Sequence, residues 1–435
     1  MCVVVFLSRA EQYGPVYKVF MLHKCILIPT SQAVIKEILT KSKHPKAKST
    51  YSKLYNIAGV RFLGSGLVTN TNFASWSKRR HAIDPAMHRN ILKDTTGLFN
   101  EVADNMVNKL RDYADGETKV SMVEFLSRVT LDAIGKVAFG QDLGCIDDPD
   151  SPFPKAMNTI LSSLAISLRN PIFHYFPRYQ KLVKDTQEAV AFLRGCGRKW
   201  LEERRNAIFS GEEVPQDLLT YIIKAQAEMP DLTDEDILDD FDTLFIAGQE
   251  TTANCLSFLL CEVGRNSDIL RKLRSELDRV MTEPRDVEFS DLGNMNYMAQ
   301  VLKETLRMYP PAPATARDVI SDTYVDGVRI PGNSLVVTSF YAVQRMRAHF
   351  DDPEYFDPAR FKGDKERPLF AYLPFSMGQR TCMGRRFAQI EAKILLTKFF
   401  QNFDFELDMT QSFDVQETAS LRPKGGAMMT LTLRN

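Results

Sequence analysis

Cys382 stands in FSMGQRTCMG (375–384), a Gly-punctuated loop that runs directly into RRFAQIEAKILLTKFF, whose apolar residues have helical spacing. A cysteine at that point meets backbone N–H donors and the positive end of a helix dipole, and both stabilise a thiolate. A lone cysteine ahead of a helix is ordinarily inert. Here Phe375, Gly378, Arg380, Cys382 and Gly384 surround it in the spaced pattern Phe-x-x-Gly-x-Arg-x-Cys-x-Gly.

A second stretch, LFIAGQETTANC (244–255), interrupts an apolar helix with a glycine, an acid and two threonines. Gly costs about 1 kcal/mol against Ala in a helix interior, β-branched Thr is a weak helix former, and a buried Glu needs a partner. A kinked core helix with threonines bonded back to their own carbonyls is one reading. Leu244, Gly248, Thr251 and Cys255 recur at helical spacing and so share a face. Ala247 and Gly248 are small enough to admit a ligand against the backbone, and Glu250 lies on the adjoining flank.

The elements that must position these residues can be read from periodicity. Residues 14–30 predict a β-hairpin turning at His23-Lys24, followed by a Ser-capped helix in SQAVIKEILT. From about 71 to 280 the apolar spacing is helical, broken by loops at 144–154 and 210–218. Thr233 with Asp236 makes a capping-box-like start to the long helix that carries AGQETT. Another helix stops at Pro310 and Pro311, and DTYVDGVRIPGNSLVVTSF predicts a small sheet. A helix over about 384–402 and a strand in MMTLTLR close the chain. The fold class expected is mainly α with a minor β region, in one large domain over 1–435.

Apolar content of 44% and charged content of 25% are those of an ordinary globular protein. Lys plus Arg and Asp plus Glu both number 55, so nothing points to nucleic acid as a partner, although the basic clusters WSKRR and MGRRFAQ could serve a protein partner. The seven cysteines, at 2, 25, 145, 196, 255, 261 and 382, form no CxxC pair and suit a reducing compartment. CVVVFL is far shorter than the ~20 apolar residues that span a bilayer.

The cysteine pattern resembles that of the cytochromes P450, the haem-thiolate monooxygenases, and further motifs of that family follow in order. Glu304 and Arg307 fit its Glu-x-x-Arg. Pro358, Arg360 and Phe361 fit Pro-Glu-Arg-Phe, with Ala359 departing from the Glu. Trp76 and Arg80 fit Trp-x-x-x-Arg, and AGQETT fits the oxygen-binding groove. Any one of these is weak, whereas the ordered set over some 300 residues is specific.

The resemblance implies haem b with Cys382 as axial ligand to the iron and Phe375 shielding the sulfur. It implies propionate donors at Trp76, Arg80, Arg317 and Arg380, with Arg61 as a further candidate, and haem contacts at Gly384, Ala247 and Gly248. Glu250 and Thr251 become the acid–alcohol pair that delivers protons to bound dioxygen, leaving Thr252 to bond back to its own helix. Glu304, Arg307 and Arg360 become a buried charge network that fixes the cysteine loop.

Within the family, YGPVYKVF, AFLRGCGRKWLEERRNAI and NMNYMAQVLKETLRMYPPA are most similar to the cholesterol 24-hydroxylases. That implies a sterol side chain as substrate, NADPH–cytochrome P450 reductase as electron donor and the cytosolic face of the endoplasmic reticulum membrane as location. The N-terminal anchor and Pro-rich hinge of such enzymes are not among these residues. Pro313-Ala314-Thr315-Ala316 replaces bulky aromatics and is expected to widen the pocket. Substrate-lining candidates are Tyr51, Leu54, Leu63, Val68, Ala312, Ala316 and Ser420, with Ala247 beside them. The aromatic loop NPIFHYFPRY (170–179) is a candidate membrane-surface contact. A haem-thiolate isomerase that needs no external electrons is an alternative, which the acid–alcohol pair argues against.

Overall fold

The computed structural model describes residues 3–21, 24–41, 44–229, 231–283, 285–363 and 369–434. Helices of eight residues or more are numbered in chain order: α1 (Val3–Gln12), α2 (Lys48–Tyr55), α3 (Phe73–Ile83), α4 (Thr96–Arg111), α5 (Met122–Ala133), α6 (Pro152–Arg169), α7 (Gln180–Phe209), α8 (Leu218–Glu228), α9 (Asp234–Arg265), α10 (Ser267–Val280), α11 (Asn296–Met308) and α12 (Arg385–Asn402).

The helix that carries AGQETT is α9, 32 residues long, and its start is the predicted capping box: Thr233 Oγ1 accepts from the Asp236 N–H while Asp236 accepts from the Thr233 N–H. A cap of this kind is worth about 1 kcal/mol. Along its first turns α9 presents three buried carboxylates to three different segments. Asp239 is paired with Arg61 at 2.5 Å and with Arg194 of α7 at 3.2 Å. Asp240 is paired with Arg79 of α3 at 2.5 Å, and Asp242 with Arg194 at 2.6 Å. Backbone N–H groups of Ser65 and Leu67 close on Asp239 and Asp240. This network ties the 60–67 loop, α3 and α7 to one helix. It also removes Arg61 from the propionate donors, because α9 takes its guanidinium, and it makes Arg79 of the WSKRR cluster a buried residue.

The main sheet has the order β1 (Val16–Met21), β2 (Lys24–Pro29), β4 (Leu335–Ser339), β3 (Ala314–Asp318). β1 and β2 form the predicted hairpin, with Val16 opposite Pro29; His23 of its turn lies outside the described residues. β2 runs parallel to β4, and β4 antiparallel to β3 with Val337 opposite Ala316. Ser31 does not cap through its side chain; its N–H is bonded to Pro15 O at 3.0 Å, which ties the helix start to the hairpin. Val3 of the CVVVFL run opens α1, which buries Phe6 and Ala10 against Tyr17 and Ile28. The C-terminal region holds β5 (Phe403–Leu407), β6 (Val415–Glu417), β7 (Leu421–Pro423) and β8 (Met428–Leu433). β6 and β7 form a hairpin that packs on α9. Among the described residues no helix is long and apolar enough to cross a membrane.

Candidate active site

The cysteine loop is shaped by its own backbone. Ser376 N–H donates to Leu373 O, Thr381 N–H to Gly378 O and Cys382 N–H to Phe375 O at 2.9 Å, so Phe375 and Cys382 close one turn. Gly378 has φ +76° and comes so near the Leu39 carbonyl that a Cβ would lie 2.2 Å from its oxygen, which leaves Gly as the residue that fits. Gly384 is the N-cap of α12. The thiol opens into a cavity between this loop and α9. Burial pushes its pKa up, opposed by the Gly384 N–H, the Arg80 charge, the Arg385 N–H and Lys46. The expected helix-end donors are therefore present, but in the protein alone burial outweighs them. A coordinated metal cation would reverse that balance.

One end of the cavity is cationic. Arg380 lies across the Trp76 ring, 3.7 Å from Cζ to centroid, and both of its terminal nitrogens are buried without a hydrogen-bond partner. Burial and the like charges of Arg317 and Arg80 lower its pKa to about 9. Arg80 donates to Asp84 at 3.0 Å and to Thr381 O at 3.0 Å. Lys46, not found by sequence reasoning, joins the wall with Nζ 4.4 Å from the Tyr51 ring centroid and 2.9 Å from Val68 O. A buried cation cluster short of anions fits the two propionates of a haem, whose flat apolar body fits the space above Cys382. Arg317 does not face that space. Its NH1 is taken by Thr315 Oγ1 at 2.8 Å and Ala316 O at 3.0 Å, so it stands behind the cluster.

The opposite wall is α9. Leu244, Ala247, Gly248, Thr251 and Cys255 all border the cavity, as the spacing predicts. Thr251 Oγ1 donates to Ala247 O at 2.8 Å. Thr252, expected to make that bond to its own helix, instead bears on Glu391 of α12 and also borders the cavity. Gly248 is small for a further reason: a Cβ there would lie 2.5 Å from Ile134 Cδ1, in the π-helical turn that ends α5. Glu250 lies off the cavity wall on the expected flank. Burial pushes its pKa up to about 7, opposed by the hydrogen bond from Ser420 and the charge of Arg422.

Of the substrate candidates, Tyr51, Leu54, Val68 and Ala312 border the cavity, as do Ala314 and Ala419. Leu63, Ala316 and Ser420 do not. Leu63 is folded under α2 through its N–H to Leu54 O and lies in the main core. Ala316 is covered by Ala47 and Tyr51. Ser420 is turned to Glu250 and Asn254.

The charge network beneath the site is assembled as expected. Arg307 makes a bidentate pair with Glu304, at 2.7 and 2.8 Å, with neither residue exposed, and Arg360 approaches Glu304 at 3.3 Å. Gln344, which carries no motif, completes it. Its amide donates to the carbonyls of Leu306 and Arg307, and its oxygen accepts the Leu373 N–H at 2.6 Å, so α11 is bolted to the start of the cysteine loop.

A predominantly helical fold with a loop cysteine under a long grooved helix and an anion-seeking end defines a haem-thiolate oxygenase. A family profile described as Cytochrome P450 matches residues 1–431, and the chain belongs to that family, whose members are monooxygenases that bind haem through a cysteine thiolate. Cytochrome P450 4d2 of Drosophila melanogaster is 28% identical over 422 residues, covering 91% of this chain and 82% of its own length. Human cytochromes P450 4F3 and 4V2 are 31% and 29% identical, covering 88% and 92% of this chain and 76% and 79% of their own. These relatives carry P450 4 names, so the narrower likeness to the cholesterol 24-hydroxylases is not matched by them.

Proposed function

We propose that this monooxygenase hydroxylates an elongated apolar lipid, with a sterol side chain as the first substrate class to test. The observation that carries the reading is the apolar lining of the cavity of about 960 Å³, a volume the haem would share, where Ala312, Ala314 and Ala419 stand with Leu54, Val68 and Leu244. Small residues along the wall leave width for a bulky apolar body, and away from the cationic end few polar groups are there to hold a hydrophilic one. Stretches similar to the cholesterol 24-hydroxylases favour the sterol. The P450 4 names of the relatives do not carry the sterol likeness, and a second reading is another lipid or a xenobiotic.

Haem b bound through the Cys382 thiolate supplies dioxygen activation, with electrons passed from NADPH by cytochrome P450 reductase. Arg380, Arg80, Lys46 and Trp76 hold the propionates. Glu250, with a pKa of about 7, is about half protonated at neutral pH, which suits a group that gives and regains a proton. Thr251, seated on the Ala247 carbonyl, takes that proton at Oγ1 and presents it to the cavity. Leu244 and Gly248 keep the groove narrow and apolar. Exposed Arg385 and Arg386 offer a positive face to the reductase. Ile172 and Tyr175, 55% and 76% exposed, are suited to rest on the endoplasmic reticulum membrane, while Phe173 of the same loop is core.

A spin-state titration of the holoprotein with sterols and linear lipids, followed by product analysis with reductase and NADPH, tests the reading. A sterol that shifts the spin state and is hydroxylated on its side chain supports the first substrate class. A shift and product with linear lipids alone would move the assignment to the second, and turnover of a lipid hydroperoxide without reductase would replace both with the isomerase.

A further inference from the structure

Glu250 is held from outside its own helix. Ser420, in the turn between β6 and β7, donates its Oγ–H to Glu250 Oε1 at 2.8 Å. The same Oγ accepts from Asn254 Nδ2 at 2.7 Å, one helical turn beyond Glu250 on α9. Asn254 and Ser420 are 3% and 5% exposed, so water does not compete with either bond. An amide nitrogen can only donate, so its bond to Oγ commits the single hydroxyl proton of Ser420 to the carboxyl. The other groups that bear on Glu250 are few: Arg422 of β7 is the charged side chain near it, with its own Nε turned to Gln416 at 2.9 Å.

We propose that Ser420, oriented by Asn254, is a positioning residue that holds the Glu250 carboxyl in one place behind the α9 groove. The inference rests on the proton-delivery reading of Glu250 and names the residues that prepare it. Two consequences follow. The carboxyl is kept in a single rotamer on the flank of Thr251. A donor aimed at Oε1 also favours the charged form, so burial raises the pKa of Glu250 less than it otherwise would. The β6–β7 hairpin, distant in sequence from α9, thereby tunes the acid.

The test is an infrared titration of the protonated-carboxyl stretch in wild type, with Glu250→Gln identifying the band, read in the protein with and without haem. Ser420→Ala should move the midpoint of that band up by about one to two pH units, the size of a lost hydrogen bond to a charged group. Ser420→Thr keeps the hydroxyl and should restore it, and Asn254→Leu should move it in the same direction by less. A midpoint unchanged in Ser420→Ala overturns the proposal, including where that variant is merely less stable. The two readings separate cleanly. If Glu250→Gln leaves coupling of NADPH to product intact, proton delivery fails while the midpoint shift still reports the clamp. If Glu250→Gln uncouples turnover and Ser420→Ala shifts nothing, the clamp fails alone.

Discussion

Arg380 lies over Trp76, its Cζ 3.7 Å from the ring centroid, with both terminal guanidinium nitrogens buried and without a hydrogen-bond partner. A cation so placed is stabilised by the ring, yet it lacks the anion its burial demands. That single pairing explains why two residues 304 positions apart (380 minus 76) belong to one binding surface.

Arg380→Ala should therefore weaken haem retention more than it weakens the fold. A charge-assisted hydrogen bond is worth about 1.5–3 kcal/mol, which corresponds to about a 10- to 100-fold rise in the haem dissociation constant. Haem transfer to a scavenger protein measures it. Unchanged retention would show that Arg380 does not meet a propionate.

Thr251→Ala should keep haem and lipid binding but divert turnover to peroxide, with product per NADPH falling about tenfold or more. Thr252→Ala should instead lower the melting temperature, because its side chain bears on the buried Glu391. Equal coupling in the Thr251 variant and wild type would remove it from proton delivery.

Glu391 is fully buried on α12; neither carboxyl oxygen makes a well-formed hydrogen bond, and burial pushes its pKa up to about 8 from 4.5. The folded state thus binds this proton more tightly than the unfolded chain. Stability from that source is full below pH 4.5 and is lost as pH rises towards 8. Glu391→Gln keeps a neutral side chain of the same size, so its melting temperature should fall less than that of wild type across this window. Parallel profiles for the two proteins would show that Glu391 is already ionised at the lower end.

The parts of the site that are legible in the sequence are those set by spacing along one element. Leu244, Gly248, Thr251 and Cys255 share a face because helices have a fixed period, and Glu304 finds Arg307 because they are one turn apart. The cysteine loop is legible because Gly378 and Gly384 stand where the backbone turns. What escaped was chosen by packing between distant segments. Lys46, Gln344 and the Asn254–Ser420–Glu250 chain have no local signature, since each needs a partner from another element. Arg61 and Arg317 were misplaced for the same reason: an arginine goes to the acceptor that tertiary structure brings closest. Ser31 shows the effect at a helix end, where the Pro15 carbonyl took its backbone N–H and the hydroxyl was left out of the cap.

The contact between Gly248 and Ile134 carries one more implication. Because the bare Cα of Gly248 is filled from behind by Ile134, the breadth of the groove is a property shared between α5 and α9. Trimming the isoleucine, which itself borders the chamber, would enlarge it both directly and by letting the long helix settle towards α5. Position 134 is thus a dial on pocket size set outside the long helix, open to selection or engineering while the proton-carrying residues stay untouched.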